Sequence, residues 1–482
     1  MTAKRYLYLA AAVAAWIILP GLGLFAQWAV VDTDEREREP PHLYHAFSQA
    51  EWDAYQGAPE ESVRKFREAR YGLFIHYGLS SFKGADLSWS RATHAFPDPG
   101  SGTIPDDEYE GFAAKFRMER FDAEAWVSMA RRSGMKYIVV VAKHHDGFHM
   151  WDTAHSDFKI TNSPFGRDYI RELTDACRRA GMPVGFYYSQ RDWHHPDYQP
   201  LDRAVAEAAP RPPYWRPVGS AVRRAGPRHA RYIRYMHATV RELLTSYGQV
   251  DFLWWDALWW GGMYHADMWD SSGTEREARR LQPSILINNR AGLPGDYDTP
   301  EQRLGMFQDA RPWESCISLG PHWAWSPGEV KSKQDIIRLL VRTASGDGNL
   351  LISTGARADG SFDPQHVARL EEVGGWLNRH GRTIYGTRGG PWRPGAWGGS
   401  TRTANKVYLH VTDWPSEGLV LPELEAQPRA VRLVTGSGSV SMSRSDLGWR
   451  FDVAESARDS IDTIVELEFD VSPLAARERA AP

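Results

Sequence analysis

Short apolar runs, each ending abruptly in polar side chains and followed by an amphipathic stretch, recur along the middle of this chain. Residues 73–75, 138–142 and 184–188 are such runs, rich in β-branched and aromatic side chains. Their length and uniform apolarity predict strands buried on both faces. The run at 250–254 and the segments ILINNR (285–290) and GNLLIS (348–353) have the same texture. Between them, apolar positions at helical spacing predict helices over 51–70, within 121–135 (closed by Gly134), and over 168–180, 230–247, 333–345 and 364–380. Strand then helix, with polar residues collected after each strand, predicts an α/β fold built on a parallel (β/α)8-like barrel. No Gly-rich turn follows the first strand and no P-loop motif occurs, so a Rossmann sheet is excluded.

The texture changes at about residue 388. Gly, Pro and Trp punctuate alternating segments such as NKVYLHVTDWP, RAVRLVTG, GWRFDVAE and TIVELEFD, the pattern of a C-terminal antiparallel β-sandwich domain over 388–470 with a tail at 471–482. The barrel is expected over 45–387, with a Pro-, Arg- and Ala-rich inserted loop at 199–227. At the other end, Lys4 and Arg5 precede an apolar run over 6–31. Residues 1–31 read as a signal peptide or membrane anchor, long enough to span a bilayer and without a clear small-x-small cleavage site. That places the body outside the cytoplasm, periplasmic or secreted, with a tether through 6–31 favoured. The charged, Pro-containing stretch at 32–44 reads as a linker.

Composition adds little except tryptophan. A formal net charge of −4 and a pI near 6.5 over 482 residues make no electrostatic case for nucleic acid. Two cysteines, Cys177 and Cys316, give no disulfide framework and no metal-ligand spacing. Cys177 sits in a helical pattern and reads as buried and inert, and a single bridge to Cys316 stays open. Many of the 21 Trp lie where the chain also carries His and acidic residues. That suggests a sugar, whose C–H faces stack on indoles, although Trp also fills cores.

The candidate chemistry stands at strand ends, where a barrel of this kind carries it. In DFLWWDALWW (251–260), Asp256 follows the apolar run and is flanked by indoles; it is either a reacting carboxylate or a cap for the next segment's amides. His76 ends the first strand, as a ligand group or a hydrogen-bonded structural residue. Lys143, His144, His145 and Asp146 crowd the exit of the second. Two adjacent His on an extended chain point opposite ways, a poor metal pair, but each could meet a different hydroxyl. Asn288, Asn289 and Arg290 stand at a further exit, and GDYDTPEQ (295–302) reads as a loop carrying Asp296, Asp298 and Glu301. No metal or organic cofactor is expected.

Taken together, GLFIHYG (72–78), KYIVVVAKHHDGFHMWDTAHSDF (136–158), GFYYSQRDWHHPDY (185–198), FLWWDALWW (252–260), NNR (288–290), PWESC (312–316) and GNLLISTGARADGSF (348–362) resemble the α-L-fucosidases of glycoside hydrolase family 29. The resemblance spreads over most of 45–470 and implies retaining hydrolysis of terminal α-L-fucosyl residues by double displacement. It implies Asp256 as nucleophile and Glu301 as acid/base, with Glu314 as rival and Asp298 as a weaker one. It further implies a sugar pocket made by His76, Trp89, His144, His145, Tyr187, Trp254, Arg290 and Trp323, the last with Trp254 lining the ring and its C5 methyl. The implied partner is a fucosylated glycan. Two positions depart from the pattern: Ser88 stands before Trp89 where many members carry Glu, removing an acceptor that could orient the ligand, and Ser353 stands where Asn is common. The alternatives are a tethered fucose-binding protein of weak activity and a retaining glycosidase for a related sugar such as α-L-galactose.

Overall fold

A computed structural model describes residues 49–94, 102–200, 227–256, 266–305 and 307–474. The expected leader, its linker, nearly all of the 199–227 insertion and the end of the tail lie outside those residues. Among the described residues no helix is long and apolar enough to cross a membrane.

Seven parallel strands form one sheet: β1 (Tyr71–Ile75), β2 (Ile138–Lys143), β3 (Val184–Tyr188), β4 (Phe252–Trp255), β5 (Leu286–Ile287), β6 (Glu314–Ser318) and β7 (Asn349–Thr354), in the order β5-β4-β3-β2-β1-β7-β6. The edge strands β5 and β6 do not pair directly. Residues 297–301 lie between them and make isolated parallel bridges to both sides: Asn288 with Tyr297, then Asp298 with Trp313 and Glu301 with Cys316. Backbone bonds Asp296 N to Ile287 O (2.6 Å) and Cys316 N to Pro300 O (3.1 Å) carry the ring across. The stretch expected as a loop is therefore an eighth, irregular wall segment that completes a (β/α)8-like barrel. Pro300 lacks a donor and Gln302 has φ 51°, which is why it never becomes a regular ladder.

Burial on both strand faces follows from this geometry, because alternate residues point to different cores. Inside the ring, Phe74, Val139, Val141, Tyr187, Phe252, Trp254 and Leu351 form one cluster, while Leu73, Ile138, Val140, Phe186, Leu253 and Ile352 pack outward against the helices. Gly72 and Gly185 occur where a Cβ would come within 2.4 Å of the Tyr137 ring and 2.3 Å of Phe252 Cβ and its backbone oxygen, so glycine there admits the Tyr137 ring to the interior and lets β4 approach β3 closely.

The helices Tyr169–Arg179, Lys333–Ser345 and Pro364–His380 fall where periodicity puts them, and Asp168, Ser332 and Asp363 cap them by accepting a first-turn N–H. The expected helix over 51–70 is two, Gln49–Ala54 and Glu60–Ala69, because Gly57 and Pro59 interrupt it. Both cysteines are free and buried, and burial pushes the Cys177 thiol up to about 12, consistent with an inert side chain.

From Arg388 onward the strands are antiparallel. They are β8 (Arg388–Gly389), β9 (Gly398–Arg402), β10 (Lys406–Val411), β11 (Leu419–Leu421), β12 (Ala430–Leu433), β13 (Val440–Ser445), β14 (Gly448–Val453) and β15 (Thr463–Glu468). One sheet runs β12-β15-β10-β9-β8 and a second β11-β14-β13, with Val407, Leu409, Trp449, Phe451 and Val465 between them. A buried carboxylate ties this part to the barrel. Asp347, just before β7, takes Arg67 at 2.8 Å, Arg70 at 2.6 Å and Arg388 at 2.7 Å.

Candidate active site

At the C-terminal ends of the strands a hollow of about 240 Å³ opens, lined by residues including His76, Trp89, His144, Tyr187, Trp254 and Asp256. It is smaller than the roughly 300–1,000 Å³ that drug-sized ligands occupy, so it suits one sugar ring rather than a chain. Strand parity fills it. Phe74 and His76 share the inner face of β1, and Trp254 and Asp256 that of β4, since residues two apart point the same way.

Asp256 is buried and held from three sides. Tyr187 donates its hydroxyl to Oδ2 at 2.6 Å, Arg290 Nη1 donates to Oδ1 at 3.1 Å, and His145 Nε2 stands 3.7 Å from Oδ2. Burial, with the Asp256 charge adding to it, raises the Tyr187 phenol well above its ordinary value, so it stays a donor. Arg290 also pairs with Glu301, Nη2 to Oε2 at 2.8 Å, and donates further to Thr299 and to Cys316 Sγ. One guanidinium thus bridges the two carboxyl groups, which puts them no more than about 8 Å apart across the hollow. Trp254 forms a wall: the Arg290 guanidinium lies over its ring at 4.5 Å and the Tyr187 ring stacks on it at 5.5 Å.

Each of the three histidines is propped by a serine through Nδ1. His76 meets Ser353 at 2.8 Å, His144 meets Ser88 at 2.5 Å, and His145 meets Ser189 at 2.6 Å. Burial lowers all three imidazoles well below their ordinary value, so they are neutral. Ser353 donates its proton to the Trp323 carbonyl (3.0 Å), so His76 Nδ1 must donate to Ser353 and His76 Nε2 is an acceptor. Ser189, which also accepts the Arg191 N–H (3.0 Å), fixes the His145 ring through Nδ1 so that Nε2 faces Asp256. The adjacent histidines do not point apart as an extended chain requires. The chain turns after Lys143, and the two rings lie 4.0 Å centroid to centroid.

His144, His145 and Asp256 bring ligand atoms within 4.8 Å of one another, a spacing that could hold a cation. Both Asp256 oxygens are already taken by donors, and the Arg290 guanidinium sits on one of them. The charge arrangement suits hydroxyls better than a metal ion.

Not every expected residue reaches the hollow. Ser88 is fully buried and braces His144 from behind, also accepting the Asp146 N–H at 2.9 Å, so its side chain orients a histidine rather than the ligand. Lys143 and Asp146 serve the scaffold, Lys143 Nζ donating to Arg191 O at 2.8 Å and Asp146 accepting from Tyr109 at 2.6 Å. Asp298 accepts from Asn289 and Arg311 within the wall. Glu314 lies at the start of β6, below the floor, where it accepts from Tyr137 (2.5 Å) and Trp254 Nε1 (3.1 Å). Cys316, level with Glu301, and Asp86 both line the hollow and escaped the reading of the chain. Nothing in the spacing around Asp86 marks it. Residues 257–265, with Trp259 and Trp260, lie outside the described residues.

The family model described as α-L-fucosidase matches residues 42–382. The α-L-fucosidase isoenzyme 1 of Paenibacillus thiaminolyticus is 33% identical and superposes with a TM-score of 0.72 over 85% of this chain and 99% of its own. The plasma α-L-fucosidase of Rattus norvegicus is 27% identical over 73% of this chain and 78% of its own. The tissue enzyme of Macaca fascicularis is 26% identical over 92% and 91%.

Proposed function

The chain belongs to the α-L-fucosidase family and is a glycoside hydrolase; from that premise we propose that it removes terminal α-L-fucosyl residues from glycans by double displacement, Asp256 being the nucleophile and Glu301 the acid/base. The observation that carries the assignment is the Arg290 bridge between those two carboxyl groups on one hollow.

Asp256 attacks the anomeric carbon, Glu301 protonates the departing glycosidic oxygen, and a covalent glycosyl ester forms. The ester consumes the charge of Asp256. Arg290 is then left with Glu301 as its anionic partner, which suits the carboxylate that must deprotonate the incoming water. His76 Nε2 accepts from one sugar hydroxyl, His144 meets another, and Trp254, Trp89 and Trp323 cover the apolar faces. His145 and Tyr187 support the sugar side indirectly, through the orientation they give Asp256. A site lined this way has no need of a cofactor. The apolar run ahead of the barrel supports an extracytoplasmic location, with membrane tethering through 6–31 as one form of it.

The test uses the whole chain and an aryl α-L-fucoside. Turnover in the wild type, its loss in Asp256→Ala, and recovery with azide are expected. Glu301→Ala should retain far more activity on the aryl substrate than on a fucosylated glycan. Full activity in Asp256→Ala rules out its role.

A further inference from the structure

Beside the three catalytic and bridging groups, the hollow carries a third carboxylate, Asp86. It precedes the turn Leu87–Ser90, and Oδ1 accepts the Trp323 N–H at 3.1 Å. A residue needed only to anchor that loop could sit behind it. Asp86 instead keeps 26% of its side chain exposed, and Oδ2 faces His322 Nδ1 at 3.9 Å, with His322 45% exposed. By contrast, His76 at the base of the hollow is 4% exposed. Asp86 therefore stands at the mouth of the hollow, and His322 lies exposed beside it, outside the lining. Glu301, with 24% of its side chain exposed, lines the same hollow, and burial, against the opposing His322 charge and the Trp323 and Ala324 N–H donors, raises the Asp86 carboxyl above its ordinary value.

In an exo-acting glycosidase the sugar fills the base of the pocket and the leaving group occupies the mouth, next to the proton donor. A carboxylate and an imidazole there form a hydrogen-bonding pair for a polyhydroxylated group; an aromatic leaving group offers them no donor. We propose that Asp86 and His322 form the leaving-group subsite, and that Asp86 accepts a hydroxyl of a sugar aglycone. This rests on the fucosidase reading above. It makes Asp86 a specificity-determining residue rather than part of the fucose site.

The test compares kcat/KM for an α-L-fucosyl disaccharide and for an aryl α-L-fucoside in wild type, Asp86→Asn and His322→Ala. Asparagine keeps an oxygen for the Trp323 N–H, so the loop stays anchored while the charged acceptor is lost. The disaccharide-to-aryl ratio should fall about tenfold or more in Asp86→Asn, as for a hydrogen bond to a charged group, and in the same direction in His322→Ala. An equal loss on both substrates overturns the proposal in favour of a loop-anchoring role. A change in the preference between aryl α-L-fucoside and aryl α-L-galactoside, with the aglycone ratio unmoved, overturns it in favour of a contact to the exocyclic carbon. If the wild type cleaves neither fucoside, the fucosidase reading itself fails, which is a separate result.

Discussion

Replacing Glu314 by Gln separates the two candidate acids and tests the physics of the barrel floor together. Glu314 is fully buried, and burial raises its carboxyl from 4.5 to about 7, against the lowering effect of the Tyr137 and Trp254 donors. A folded value above the unfolded one means that the native state holds the proton longer. Stability is then undiminished below about pH 4.5, falls as pH rises to about 7, and levels off above it. The difference corresponds to about 3 kcal/mol. Glutamine has nearly the same shape and cannot ionise, so this loss disappears. Glu314→Gln and wild type should differ by a constant offset near pH 4.5, and the variant should gain about 3 kcal/mol relative to wild type by pH 8. Urea denaturation of both proteins across that range reads the change, and the offset absorbs any imperfect hydrogen bond. Because Glu314 lies under Trp254 and away from the hollow, kcat/KM on a glycan should stay within a few-fold of wild type. A pH-independent stability difference refutes the buried, protonated acid. Loss of glycan hydrolysis with activated aryl substrates spared would instead move the acid/base role from Glu301 to Glu314.

Ser353→Ala removes the hydroxyl that fixes His76 and should lower kcat/KM by about fivefold to tenfold, the worth of one hydrogen bond, with Tm little changed; an unaltered kcat/KM excludes the serine prop as a positioning device. Because His76, His144 and His145 stay neutral through burial, the kcat/KM profile should show no imidazole break between about pH 6 and 7, and a break that any of their Ala variants abolishes refutes this. Asp347→Asn leaves Arg70 buried without its anion and should cost about 3–5 kcal/mol in chemical denaturation. Burial works to raise the Asp347 carboxyl, but Arg70 and Arg388 outweigh it and hold it below its ordinary value. Its contribution is therefore present above about pH 4 and lost as pH falls further, and the variant should lack that acid-side loss.

The chain's own pattern determined the barrel strands and what faces into them. An apolar run of four or five residues has to be buried on both sides, and its parity then sets which polar residue at the exit turns inward. That is why Asp256 follows Trp254 and His76 follows Phe74 into one hollow. Most helices were legible for the same reason: period and cap are local. What tertiary structure decided lies between positions far apart in the chain. Ser353 supports His76 from across 277 residues and Ser189 supports His145 from across 44, and a small hydroxyl leaves no trace in hydrophobic periodicity. The wall segment at 297–301 looked like a loop because its bridges depend on two neighbouring strands and not on its own propensity. Glu301 and Glu314 are equal as letters. They part only because Glu301 pairs level with Cys316 while Glu314 begins the same strand two residues lower, and height within a barrel is set by register between strands, which no single strand encodes.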